Sequence, residues 1–255
     1  MLTPHKIYVI GNWKTKPATR VEALSIAKKS TFEKDGKVEV VVAPPALFLA
    51  GVQNILGARC SYATQDSYWQ AIGSDNAELS PAQSKSVGCT YAIVGHSSRR
   101  ALGETDQDVS KKIHACLENN LIPIVCIGES KRDTHGKYID ALKNQIQASF
   151  AGLSKQDFEH IIIAYEPLWA IGADATREAT PAEAEEVRIL IEKTIAEMTG
   201  HIPIGKVTII YGGSVDTPAD VEKYLASGMR GVLVGRASLD SEKFNALVTA
   251  AQNYS

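Results

Sequence analysis

Short runs of β-branched and apolar residues recur along the chain without the alternation of a half-exposed strand. They are Ile7 to Ile10, Val38 to Ala43, Arg59 to Ala63, Tyr91 to Val94, Ile122 to Ile127, Ile161 to Tyr165, Val207 to Tyr211 and Gly231 to Val234. Continuous apolar runs of this length suit parallel strands buried on both faces. Between most of them the pattern changes to a helical period, as in Val21 to Lys29, Asp106 to Asn119, Lys137 to Phe150, Pro181 to Met198 and Pro218 to Ala226. Thr180 before Pro181, with Glu183 closing a capping box, and Thr217 before Pro218 mark helix starts. Strand-helix alternation at roughly thirty residues a unit predicts an α/β fold, a closed (β/α)8 barrel of parallel strands ringed by helices. A doubly wound open sheet is the alternative. No linker or charge run breaks the rhythm, so residues 1–255 read as a single domain.

In such a barrel, reactive residues belong at the C-terminal ends of the strands. Glu166 stands where the sixth strand must stop, because Pro167 lacks an N–H and biases the residue before it away from helix. The apolar Leu168-Trp169-Ala170-Ile171-Gly172 follows and is able to fold over the carboxylate, which would make it a general base. Taken alone, a strand-end Glu is more often a solvated partner of some Lys or Arg. The first strand ends Gly11-Asn12-Trp13-Lys14, offering an amide and an ammonium to an anionic substrate. The fourth ends Gly95-His96-Ser97-Ser98, where N–H groups of a following turn favour a neutral imidazole. Tyr211-Gly212-Gly213-Ser214 and Val234-Gly235-Arg236 close the last two strands, and glycines there let backbone N–H groups converge on a phosphate. Gly200 to Lys206 has the glycine and lysine spacing of a nucleotide P-loop. Val207 replaces the required Ser or Thr, however, and the segment enters a strand rather than a helix.

Composition narrows the function classes. The 255 residues are 44% hydrophobic, enough for a large core, and the net charge of −2 leaves no basic excess for nucleic acid or an anionic membrane. Cys60, Cys89, Cys116 and Cys126 lack paired Cys-x-x-Cys spacing, so reduced thiols and a cytoplasmic protein are expected. The apolar run in Met1 to Lys14 is too short to read as a secretory leader, and no run of about eighteen apolar residues occurs in the sequence. No His-x-x-x-His pair suggests a metal.

Taken together, Asn12-Trp13-Lys14, Gly95-His96-Ser97, Cys126-Ile127-Gly128-Glu129, Ala164 to Gly172, Tyr211-Gly212-Gly213-Ser214 and Leu233-Val234-Gly235 resemble the triosephosphate isomerase family, in family order and over essentially the whole chain. The resemblance implies a TIM barrel that interconverts dihydroxyacetone phosphate and D-glyceraldehyde 3-phosphate, a step of glycolysis and gluconeogenesis, with no cofactor or metal. It implies Glu166 as base, His96 as a neutral acid, and Lys14 and Asn12 as stabilisers of the enediolate. Backbone N–H groups of Gly172, Ser214, Gly235 and Arg236 would hold the phosphate. Pro167, Leu168, Trp169, Ala170 and Ile171 would form a lid, with Ile171 and Leu233 clamping the base. A homodimer through the 65–79 loop is implied as well. A related sugar phosphate such as a tetrose phosphate, or a barrel that has lost catalysis and serves as a scaffold, are the competing readings.

The chain departs from the family pattern in places that bear on the site. Ser98 stands where a glutamate is usual, so Lys14 is expected to be held differently. Ala173-Asp174-Ala175-Thr176 lengthens the lid tip, and Arg177-Glu178-Ala179 occupies its hinge. Arg236 replaces a glycine. Gly73 to Glu78, with Asn76 for the usual Thr, predicts a rewired dimer contact.

Overall fold

The parallel strands predicted from the apolar runs do close on one another. The computed structural model describes residues 2, 6–33, 35–171, 175, 177–200 and 206–254. Among these, eight strands pair in chain order and the first pairs with the last: β1 Ile7–Asn12, β2 Val38–Ala43, β3 Ser61–Thr64, β4 Tyr91–Val94, β5 Ile122–Ile127, β6 Ile162–Tyr165, β7 Thr208–Tyr211 and β8 Gly231–Val234. Every pairing is parallel. Outside them run α1 Arg20–Lys29, α2 Leu49–Leu56, α3 Pro81–Ser86, α4 Ser97–Arg100, α5 Asp106–Glu118, α6 Lys137–Ser149, α7 Pro181–Thr199, α8 Pro218–Ala226 and α9 Ser241–Asn253. The helix starts carry the expected chemistry. Thr180 and Thr217 each close a capping box, with Glu183 and Asp220, behind a proline in the first turn.

Strand starts differ from the sequence reading where side chains claim backbone groups. Gly57–Arg59 forms a 3-10 turn, and the Arg59 guanidinium takes the carbonyls of Ser30, Ile55 and Leu56, so β3 begins only at Ser61. A second 3-10 turn, Asp157–His160, delays β6 to Ile162. At its other end β1 runs further than the apolar run suggests: Asn12 is its last residue and pairs with Ala43.

The two-residue period of the strands sorts their side chains into two cores. Tyr8 and Ile10, Ile93, Ile124 and Cys126, and Ile162 and Ala164 fill the barrel, whereas Val9, Val94, Val125 and Tyr165 face the helices. Extending the inward phase one step past Ile10 and Ala164 reaches Asn12 and Glu166, so the fold itself delivers an amide and a carboxylate to the barrel mouth.

Candidate active site

Glu166 is tied to the neighbouring strands through backbone hydrogen bonds. Its N–H donates to the Ile127 carbonyl at 2.8 Å, and Gly212 N–H donates to the Tyr165 carbonyl at 2.7 Å, tying the strand end to both neighbours. Gly128 makes that closeness possible: a Cβ there would lie 1.7 Å from the Glu166 carbonyl oxygen. At Gly212 a Cβ would come within 2.9 Å of the Glu166 Cγ, so the missing side chain is the space in which the carboxylate stands.

His96 reaches the same place from β4. Gly95 adopts φ +68, a left-handed turn that glycine enters without penalty, and it interrupts the strand phase so that the imidazole enters the mouth. The ring caps α4: Nδ1 accepts the Ser98 N–H at 3.1 Å and lies 2.8 Å from Ser98 Oγ. A nitrogen that accepts an N–H carries no proton, which leaves the ring proton on Nε2. That Nε2 is 3.2 Å from Glu166 Oε1, and Glu166 Oε2 accepts the Ser97 N–H at 3.2 Å. The serine at position 98 has therefore become a contact of the imidazole. Ser98→Ala keeps the backbone donor and removes the hydroxyl; one hydrogen bond of about 1 kcal/mol predicts a kcat roughly fivefold lower in steady-state assays, with Ser98→Thr retaining most of the activity.

Lys14 is held by other means than a carboxylate at position 98. Its backbone sits at φ 55, rare for a side-chain-bearing residue, and Asn12 Oδ1 accepts its N–H at 3.0 Å. The contact uses the amide oxygen of Asn12 and leaves the amide nitrogen as the donor Asn12 can offer. Beyond it, Lys14 runs past the turn after β8, where a Cβ on Gly235 would lie 3.8 Å from Lys14 Cε.

All four of these side chains line one cavity of about 300 Å³ at the C-terminal end of the barrel. Ile171, Leu233, Ser214, Gly235 and Arg236 line it too. Gly172, Ala173, Asp174 and Thr176, expected from the resemblance to belong to a lid, lie outside the described residues, as do residues 201–205 of the P-loop-like segment. The described residues after Glu166 divide in two. Ile171 faces the cavity, while Trp169 and Ala170 are buried in the 3-10 turn Leu168–Ala170 behind Pro167. Ser214 Oγ reaches the Ala170 carbonyl at 3.3 Å, linking this turn to the loop after β7.

Glu129 was visible in the sequence only as part of a motif, yet it ties the turn Leu168–Ala170 to the end of β6. Its buried Oε1 accepts the Tyr165 hydroxyl at 2.9 Å and the Trp169 indole N–H at 2.8 Å, with Arg132 at 3.3 Å. A carboxylate closing the neighbouring strand, β5, is the signal that could have found it. Arg177 lies over the Trp169 ring at 4.4 Å from its centroid and donates to both Glu183 oxygens at 2.5 and 2.8 Å. This arginine holds the carboxyl of Glu183 down at about 2, with the Thr180 backbone and hydroxyl donors adding to it.

Cys126 shares the inward face with Glu166. Burial pushes its thiol well above the ordinary range, and the Glu166 carboxylate beside it pushes the same way. Such a thiol stays protonated at neutral pH and is no nucleophile. At the mouth the carboxylate of Glu166 and the imidazole of His96 stand in contact with each other.

The fold and this mouth define a (β/α)8-barrel enzyme equipped for isomerisation by proton transfer. The model of the triosephosphate isomerase family matches residues 7–251. Relatives bear the same name: the triosephosphate isomerase of Caldanaerobacter subterraneus subsp. tengcongensis is 38% identical over 244 residues, covering 94% of this chain and 97% of that protein. The one from Lactiplantibacillus plantarum is 39% identical over 250 residues (96% and 98%), and that of Streptococcus mutans 37% over 248 (95% and 97%). The chain belongs to the triosephosphate isomerase family.

Proposed function

We propose that this chain interconverts dihydroxyacetone phosphate and D-glyceraldehyde 3-phosphate through an enediolate. The observation that carries the reading is the 3.2 Å contact between Glu166 Oε1 and His96 Nε2 inside one small cavity with Lys14 and Asn12. Glu166 takes the proton from the carbon beside the carbonyl and returns it to the adjacent carbon. His96 donates its Nε2 proton to the carbonyl oxygen and recovers one from the neighbouring hydroxyl, so the proton count closes over the cycle. Because His96 has one Nε2–H, a substrate carbonyl must take it from Glu166. The carboxylate then leaves Ser97 and turns to the substrate carbon, movement for which the bare Gly212 leaves space. Lys14 and the Asn12 amide nitrogen stabilise the negative oxygens as they develop.

The N–H groups of Ser214, Gly235, Arg236 and Gly172 hold the phosphate in this reading, and Ile171 and Leu233 exclude water from the enediolate. The whole chain acts as one domain. A homodimer through the 65–79 loop is supported by family membership. Light scattering is expected to give a dimer, and a fully active monomer would overturn this. No helix among the described residues is long and apolar enough to cross a membrane, and a cytoplasmic location accords with a glycolytic substrate. The functional reading is tested by turnover on triose and tetrose phosphates side by side. Preferred turnover of the triose supports it, whereas turnover of the tetrose alone, or of neither, refutes it.

A further inference from the structure

Among the described residues lining the cavity, the charges are two cations, Lys14 and Arg236, and two carboxylates, Glu166 and Asp216. With glycine in place of Arg236 a single cation would face two carboxylates, a hostile field for a dianion. Arg236 is bound only loosely in return. Its Nη2 is 3.6 Å from Asp216 Oδ2, and the two side chains are 85% and 42% exposed. An ion pair so open to water is weak and easily exchanged. A phosphate dianion would compete well for the guanidinium, whose planar fork matches two phosphate oxygens.

We propose that the Arg236 side chain, which pairs with Asp216 across 3.6 Å, is a direct ligand of the substrate phosphate, in addition to anything its backbone N–H contributes. This rests on the phosphorylated-substrate reading above. The role belongs to the guanidinium, since Arg236→Gly keeps the N–H and removes only the side chain. A rival account has the guanidinium merely neutralising Asp216, and a double substitution separates the two.

The experiment measures dissociation constants for inorganic phosphate by calorimetry at fixed ionic strength, alongside KM and kcat for triose phosphate. Arg236→Gly is expected to weaken phosphate binding about tenfold and to raise KM more than it lowers kcat, with Arg236→Lys intermediate because a point charge replaces the fork. Arg236→Gly/Asp216→Asn is expected to remain several-fold weaker than Asp216→Asn alone. If the double variant binds phosphate as tightly as Asp216→Asn alone, the guanidinium only offsets a carboxylate and the proposal falls. It falls equally if Arg236→Gly binds phosphate like the wild type, or if the wild type binds none. A wild type that binds phosphate but turns over no triose phosphate would instead remove the functional reading, leaving the phosphate comparison to decide the role of Arg236.

Discussion

Glu166→Gln lowers kcat on the order of a thousandfold in steady-state assays with triose phosphate, while KM changes by less than about threefold. Glutamine has nearly the shape of glutamate, and its amide oxygen can accept the Ser97 N–H that Glu166 Oε2 now accepts at 3.2 Å or the His96 Nε2–H. The strand-end hydrogen bonds to Ile127 and from Gly212 are backbone contacts and survive. What disappears is basicity alone. Three decades in rate correspond to about 4 kcal/mol of barrier, within the reach of a well-placed base in a dry site. A loss below about tenfold would mean that another group takes the proton.

The second large effect is expected at Lys14. Lys14→Ala weakens binding of phosphoglycolate, whose carboxylate resembles the enediolate charge, about a hundredfold, and lowers kcat/KM by a similar or larger factor. The positive φ of 55 disfavours alanine much as it does lysine, and the Asn12 Oδ1 contact is to the backbone N–H, so the substitution isolates the ammonium. Calorimetry with phosphoglycolate reads it directly. Equal affinities would remove Lys14 from charge stabilisation and leave the Asn12 amide as the principal donor.

Much of the architecture was legible because buried parallel strands have a compositional signature and helix starts a chemical one. The runs at Val38–Ala43, Tyr91–Val94, Ile122–Ile127 and Gly231–Val234 coincide with β2, β4, β5 and β8. Strand starts were less legible where an irregular turn, such as the one stabilised by the Arg59 guanidinium, consumes the first residues of an apolar run. The convergence of Asn12, Lys14, His96 and Glu166 followed from one rule, that a parallel barrel gathers its strand ends. Individual contacts did not follow from it. That Ser98 would turn its hydroxyl to His96 depends on the left-handed turn at Gly95. The union of Glu129 with Trp169 and Tyr165 depends on the pitch of two adjacent strand ends. The Arg236 guanidinium could not be located from sequence at all, since its direction is set by an exposed carboxylate on a different loop.

The departure at position 98 illustrates how a barrel mouth tolerates change. A serine in place of the family's usual carboxylate leaves the region without that charge, yet Lys14 stays fixed through its own backbone and Asn12, and the imidazole gains a neighbour. The site is assembled from short local contacts on rigid strand ends, so one contact can be exchanged without dispersing the others.

The central claim is that a proton leaves one substrate carbon for a protein carboxylate and returns to the next. Turnover of dihydroxyacetone phosphate in D2O, followed by proton NMR of the product, tests it most directly. A carboxylate that holds the proton in the intermediate exchanges it with solvent, so deuterium is expected at C2 of the glyceraldehyde 3-phosphate formed. Full turnover with protium wholly retained at that carbon, and no deuterium entering the recovered dihydroxyacetone phosphate, would mean that the hydrogen never becomes an exchangeable proton on the carboxylate and would contradict the account.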